Sequence, residues 1–411
     1  MKFLRLLAVA AVVGLLLSAC GSSSKSGGNA AATTLPSGTP IVIGQLSDET
    51  GVAGATGAVT DARDTMNAWV KWTNAHGGIS GHPVQVKTID TKSDPAQANV
   101  AVKQLVEQDH VVALVGNSNQ NLATFSAYLK AQKVPYIGGP IYSLDPITNP
   151  MVYSATTTVI SNVWGEIYAA DQKGIKTLAS LLCSNSTVCQ GARPLVISAS
   201  KDLGIQVVFD GVADSTASSY TPQCLAMKQS GAEAVLPFVN NQLLANDCAR
   251  QGYKPTYVTS NTAITLDQIK ATPAFEGTVG PLPVFPWFQE YPATKAFFDG
   301  MKQYAPQYVA GGSKYNTENI TTSDTWVSGE IFKKAVENAA VAAGTAVTTP
   351  DVIKGLSMFK DETLGGMSPP LTYGDGTTTS PQIKCFYLYS IKGGKNVMTG
   401  SQTELQTSCQ P

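Results

Sequence analysis

Short apolar runs alternate with segments of helical period along this chain, first over residues 41–137 and again over residues 177–260. A strand, a helix and a further strand in succession place parallel strands in one sheet with helices on its faces. In the first stretch, Ile41-Val42-Ile43-Gly44 is of strand type and leads to a loop with Gly51, Gly54 and Gly57. Val59, Ala62, Met66, Trp69, Val70 and Thr73 then share one helical face, and Gly77-Gly78 supplies the left-handed stop. Residues 83–90 read as the next strand. Ser93-Asp94-Pro95 begins a helix with a cap followed by proline, and Ala98, Val102, Leu105 and Val106 mark its buried face. A strand over 111–115, a helix carrying Leu122, Phe125 and Leu129, and a fourth strand over 134–137 complete the series.

The alternation restarts after about residue 157, with strands expected at 177–182, 205–209, 234–239 and 256–260 and helices at 164–173, 191–200, 222–229 and 241–251. Beyond residue 277 come a strand over 278–284, a long helix over 323–343 and a Gly/Pro/Thr-rich stretch before Cys385-Phe386-Tyr387. These are too few to make a third domain and must complete the first two. The fold class is therefore α/β, with two similar lobes built on parallel, doubly wound sheets. The expected division is 41–157 plus 279–345 for lobe 1 and 158–278 plus 346–411 for lobe 2. Two lobes also suit the length, since one hydrophobic core rarely organises more than about 300 residues.

The amino-terminal residues belong to neither lobe. Residues 1–19 have a basic start at Lys2 and Arg5, an apolar centre and the small-residue run Leu17-Ser18-Ala19 before Cys20. This is the pattern of a lipoprotein signal peptide, too short to span a bilayer and stop there. Processing would leave Cys20 as a lipidated amino terminus. Residues 20–40, rich in Gly, Ser, Ala and Thr, read as a flexible linker with a reach of roughly 25 Å. The expected location is extracytoplasmic, in the cell envelope, anchored to membrane by lipid. Loss of Lys2 and Arg5 changes the formal net charge from −1 to −3. No basic cluster with interleaved aromatics occurs, which argues against nucleic acid as a partner.

Removing Cys20 from the seven cysteines leaves six, in a compartment where disulfides persist. Fifteen connectivities exist for six cysteines. The order of the six favours the local pairs Cys183 with Cys189, Cys224 with Cys248, and Cys385 with Cys409. His76, His82 and His110 lie far from these cysteines in sequence, so no metal site is expected.

Ligands of open parallel sheets sit at strand carboxyl ends, where loops and helix amino ends present N–H groups. The rule selects residues 47–57, 116–121 and 138–142 in lobe 1, and 183–190, 240–241 and 260–262 in lobe 2. Their polar side chains are mostly Ser, Thr and Asn, which hydrogen-bond a ligand without doing proton chemistry at neutral pH. The chain has no Gly-x-Ser-x-Gly, Gly-x-Gly-x-x-Gly, Gly-Lys-Ser/Thr or His-Glu-x-x-His motif. Three Ser-x-x-Lys occurrences, at Ser22, Ser198 and Ser357, lack the accompanying acyl-transfer motifs. No enzyme activity and no cofactor are expected. Asp48-Glu49 has the makings of a carboxylate pair for acid/base work, but a solvated loop or a contact to a ligand cation is the expected role.

The segment Asn74-Ala75-His76-Gly77-Gly78-Ile79-Ser80-Gly81, followed by Asp90 and Asp94-Pro95, closely resembles the branched-chain amino-acid-binding family of ABC-importer solute-binding proteins. Val115-Gly116, Lys133-Val134-Pro135-Tyr136-Ile137 and Gln251-Gly252-Tyr253 extend the likeness over nearly the whole mature chain. The resemblance implies the type I periplasmic binding protein fold, two Rossmann-like lobes with a three-crossover hinge that close on a small molecule. It implies an ABC permease with a cytoplasmic ATPase as partner; a receptor for a membrane signalling partner is the alternative. The family's carboxylate-binding serine aligns near Asn119 or Gln120, beside Ser118. Two further family contacts fall on about Pro140 and Tyr142, next to Gly139. In lobe 2 a family tyrosine aligns near Asn240, and the glutamate that pairs with the ligand's ammonium aligns near Asn261. Burying an ammonium group without that acid costs several kcal/mol, unless Asp48 or Glu49 replaces it. A simple branched-chain amino acid is therefore not the expected ligand.

Overall fold

The computed structural model describes residues 35–50, 60–139, 145–185, 189, 191–260, 264–315 and 320–411. Cys20, Gly51, Gly54, Gly57, Pro140, Tyr142, Asn261 and Thr262 lie outside them.

The first sheet has five parallel strands in the order β2-β1-β3-β4-β5: β1 Ile41–Ser47, β2 Val84–Asp90, β3 Leu114–Val115, β4 Tyr136–Ile137 and β5 Val152–Tyr153. Helices α1 (Asp61–Ala75), α2 (Pro95–Lys103), α3 (Leu122–Gln132) and the short α4 (Asp145–Thr148) connect them. Local chemistry sets the helix ends. Gly77 and Gly78, at φ 95° and 70°, end α1 in a conformation that costs glycine little. Asp94 caps α2 by accepting a 2.8 Å bond from the Gln97 amide, with Pro95 at its first position.

The second sheet repeats that order over four parallel strands, β7-β6-β8-β9: β6 Thr177–Cys183, β7 Gln206–Ala213, β8 Ala234–Pro237 and β9 Thr256–Tyr257. Its helices are α5 (Val159–Asp171), α6 (Arg193–Asp202), α7 (Thr221–Gln229), α8 (Asn241–Arg250) and α9 (Leu266–Ala271). The remaining elements are β10 (Val279–Leu282), α10 (Lys295–Tyr304), α11 (Ile320–Ala339), α12 (Thr349–Ser357), β11 (Cys385–Lys392), β12 (Lys395–Met398) and β13 (Ser408–Cys409).

Two stretches lie against other neighbours than the sequence led us to expect. The strand β10, expected in lobe 1, bridges Val258 through Val279 in parallel and then pairs antiparallel with β11. The lobe 2 sheet is thereby extended by antiparallel strands, where an all-parallel sheet was expected. Helix α12, expected in lobe 2, packs on α11 so closely that a Cβ on Gly355 would lie 1.8 Å from the Ala335 carbonyl oxygen. Thr349 also donates to the Val112 carbonyl at 3.2 Å, tying α12 to the first sheet. An apolar four-residue strand or a single amphipathic helix fits either lobe equally well by its own periodicity, so only the packing decides.

Helix α11 binds the carboxyl-terminal half of the chain to the first lobe. Trp69 of α1 is fully buried against Gly329, where an added Cβ would stand 2.5 Å from the indole ring. Its Nε1 donates to Glu330 at 2.9 Å. Disulfides join Cys183 to Cys189, Cys224 to Cys248 and Cys385 to Cys409. The second links α7 to α8, which flank β8, and the third links the paired strands β11 and β13.

Candidate ligand-binding site

The loops leaving the carboxyl ends of the first sheet are held by side chains that point back into the protein. Asp48, just past β1, accepts from the Thr91 hydroxyl, from Asn119 Nδ2 at 3.0 Å, and from the amides of Ser93 at 3.2 Å and Gln120 at 3.3 Å. Asn119 is fully buried; its Nδ2 also donates to Thr91 Oγ1 at 2.5 Å and its Oδ1 accepts from the Asn121 amide at 2.8 Å. Its hydrogen-bonding capacity goes into this brace between the loops after β1, β2 and β3, so Asn119 is not oriented toward a ligand as the sequence suggested. Ser118 beside it is half-buried, with its hydroxyl 3.4 Å from that of Ser47. Gln120 is exposed. Asn121, which precedes α3, makes no side-chain cap, so Ser118 and Gln120 flank a helix amino end of the kind that receives anionic oxygens.

Glu49 is committed as well. Its carboxylate pairs with Arg63, which also holds Asp64 at 3.0 Å. Burial lifts the Glu49 carboxyl above its ordinary value, against the pull of Arg63 and with added repulsion from Asp90. Asp90 in turn accepts from the Glu49 and Thr50 amides at 2.9 and 3.3 Å, fixing the chain as it enters residues 51–59. The two acids that could have replaced a missing ammonium partner are thus a fully bonded aspartate and a paired glutamate.

After β4 the chain turns through Gly138 and Gly139, at φ 81° and 110°. Gly139 is buried, and its N–H bonds the Asp324 carboxyl of α11. Burial raises that carboxyl to about 7, against the Gly139 bond that favours its charged form. In lobe 2, Asn240 is exposed and caps α8, its Oδ1 accepting from the Leu243 amide at 3.0 Å. Its acceptor is spent on the helix, the ordinary fate of an asparagine at this position. The loop after β9 is reached through Ser260, whose amide donates to Glu166 Oε1 at 2.9 Å. Burial holds the Glu166 carboxyl up at about 8.

Asp324 and Glu166 are not among the residues that the sequence singles out. The signal was there: Glu166 is the one acid in the otherwise apolar and polar-neutral run Val159-Ile160-Ser161-Asn162-Val163-Trp164-Gly165-Glu166-Ile167-Tyr168-Ala169-Ala170. An acid on the buried face of an apolar helix needs a partner, and here it is a backbone amide at a strand end. Among the described residues no group of three or more His, Cys, Asp or Glu could hold a metal ion, and no helix is long and apolar enough to cross a membrane.

Two α/β lobes whose strand ends carry hydroxyl and amide side chains define a ligand-binding fold. The family described as "Periplasmic binding protein" matches residues 40–396, and the chain belongs to it. Proteins of this family bind solutes outside the cytoplasm. No curated protein sequence matches the chain. Among solved structures it is similar to a branched-chain amino acid ABC transporter from Thermus thermophilus with bound valine, at 16% identity and TM-score 0.69, covering 90% of this chain and 97% of that one. It is similar also to an ABC transporter solute-binding protein from R. palustris in complex with 4-hydroxybenzoate, at 18% identity and TM-score 0.67, covering 90% and 98%. An extracellular ligand-binding receptor from Verminephrobacter eiseniae shares 17% identity at TM-score 0.69, covering 87% and 100%. At these identities the likeness is one of fold.

Proposed function

We propose that this protein is the lipid-anchored solute-binding component of an ABC importer, capturing a small polar or aromatic organic molecule between lobes that close on it. The observation that carries the ligand class is the state of the acids near the strand ends. Asp48 is saturated by four donors, Glu49 is paired with Arg63, and position 261 carries an uncharged asparagine. An ammonium group closing into such a cleft would lose its hydration with neither Asp48 nor Glu49 free to replace it. A carboxylate is better served, by the amino end of α3 beside Ser118 and Gln120. Gly139, Tyr142, Asn240 and Asn261 would contribute backbone or aromatic contacts around it.

A thermal-shift screen of aromatic acids, amides and amino acids, followed by calorimetry, tests this reading. Lack of a protein carboxylate to pair with the ligand's ammonium should weaken leucine, isoleucine and valine by roughly ten- to hundred-fold relative to a site that has one. Micromolar or tighter binding of any of the three overturns the assignment. For a compound that does bind, Ser118→Ala is expected to weaken affinity about fivefold, the worth of one neutral hydrogen bond. Small-angle scattering should show the radius of gyration fall at saturation, since closure is driven by contacts available only in the closed form.

The anchor is a separate proposal and rests on Cys20 and the small residues before it. Cys20→Ser is expected to move the protein from the membrane fraction to the soluble one; a mutant that sediments with membrane as the parent does removes the lipid from the account.

A further inference from the structure

Glu166 sits on α5 with only 5% of its surface exposed. One carboxyl oxygen accepts from the Ser260 amide at 2.9 Å; the other, Oε2, is buried and has no hydrogen-bond partner. The elements packed on α5 bring little charge toward it. From β10 come Val279, Gly280, Pro281 and Leu282, and from α6 the buried residues are Val196, Ala199 and Ser200. From β11 comes Tyr389, the titratable group that faces Glu166, with its hydroxyl given to the Thr259 carbonyl at 2.9 Å. Glu166 and Tyr389 therefore hold the backbone at two successive residues, 259 and 260, where the chain leaves β9 for residues 261–263.

We infer that Glu166 is a positioning residue for the lobe 2 side of the ligand cleft, holding the Ser260 backbone in place while it carries a proton and releasing it when ionised. The placing of Ser260 beside the cleft rests on the proposed solute-binding function, but the hold itself does not. In the protonated form the carbonyl oxygen accepts from Ser260 and the buried site contains no net charge. Loss of the proton puts a carboxylate in a buried site with one amide to stabilise it. An opening at Ser260 that gives the carboxylate to water then costs less. The sign follows from linkage: a carboxyl held at about 8 in the closed state, and near its ordinary 4.5 when open, binds more protons closed. The hold is complete below pH 4.5 and is lost progressively as pH rises to about 8, levelling beyond.

Hydrogen exchange on the ligand-free full chain, read at the peptide containing Ser260 and corrected for intrinsic rates, tests this. Wild-type protection is expected to fall about tenfold between pH 6 and pH 7. Glu166→Gln keeps the acceptor oxygen and cannot ionise, so its protection should be independent of pH over the same range. Glu166→Met removes the acceptor and should show low protection at every pH. Parallel pH profiles for the wild type and Glu166→Gln, or full protection in a folded Glu166→Met protein, overturn the inference. Because no readout uses a ligand, a failed solute screen leaves this result standing, and failure here leaves the solute-binding proposal untouched.

Discussion

A Gly138→Ala protein is expected to unfold about 4 kcal/mol more readily than wild type. Two costs combine at this position. The backbone lies at φ 81°, a conformation that alanine adopts only with strain of about 1 to 3 kcal/mol. A Cβ there would also stand 1.9 Å from Ser328 Oγ and 2.8 Å from Ser328 Cβ. Ser328 cannot yield easily, because it is fully buried and its hydroxyl donates to the Asp324 carbonyl at 2.6 Å. Overpacking of this kind costs about 1 to 3 kcal/mol more. Urea denaturation gives the difference directly. A midpoint unchanged from wild type would mean that β4 and α11 separate without cost, which the close approach of Gly138 to Ser328 does not allow.

Trp69→Ala should cost a similar amount, about 4 kcal/mol, by the opposite route. The indole is fully buried between α1 and α11, and its removal leaves a cavity that the two helices fill only in part. It also strands Glu330, whose carboxyl burial already raises above its ordinary value, with Lys333 opposing at 3.8 Å. Trp69→Phe separates the two effects, since it keeps most of the packing and loses the bond to Glu330; it should cost about 1 to 2 kcal/mol. Calorimetric unfolding of both variants checks the order. If alanine and phenylalanine cost the same, cavity formation is not what Trp69 prevents.

What the sequence disclosed and what it hid divide along physical lines. Signals that depend on nearest neighbours were readable: the Gly77-Gly78 stop, the Asp94-Pro95 start, and the strand-helix alternation that makes both sheets parallel. Strand length was not, because β3 and β4 pair over only two residues each although the apolar runs that contain them are longer. Nor was the lobe to which β10 and α12 belong, which long-range packing decides. The site was the least legible part. Position after a strand end identifies the right loops, but a loop has no period to tell which way a side chain turns. Asn119 turns inward to Asp48, Asn240 turns back to cap α8, and Glu49 goes to Arg63. Each finds a local partner that sequence order alone does not reveal.

The pairing of β10 with β11 carries a consequence for synthesis. Val279 meets Ser390 and Leu282 meets Tyr387, so the last strands of the second lobe's sheet join residues more than a hundred positions apart. The first lobe waits as long for its own cover, since Trp69 meets Gly329 and Val112 meets Thr349. Neither lobe can therefore be finished while the ribosome still holds its carboxyl-terminal elements. A nascent chain of this topology stays incomplete until it is nearly whole, and for a member of an extracytoplasmic family that delay favours passage across a membrane before folding closes the route.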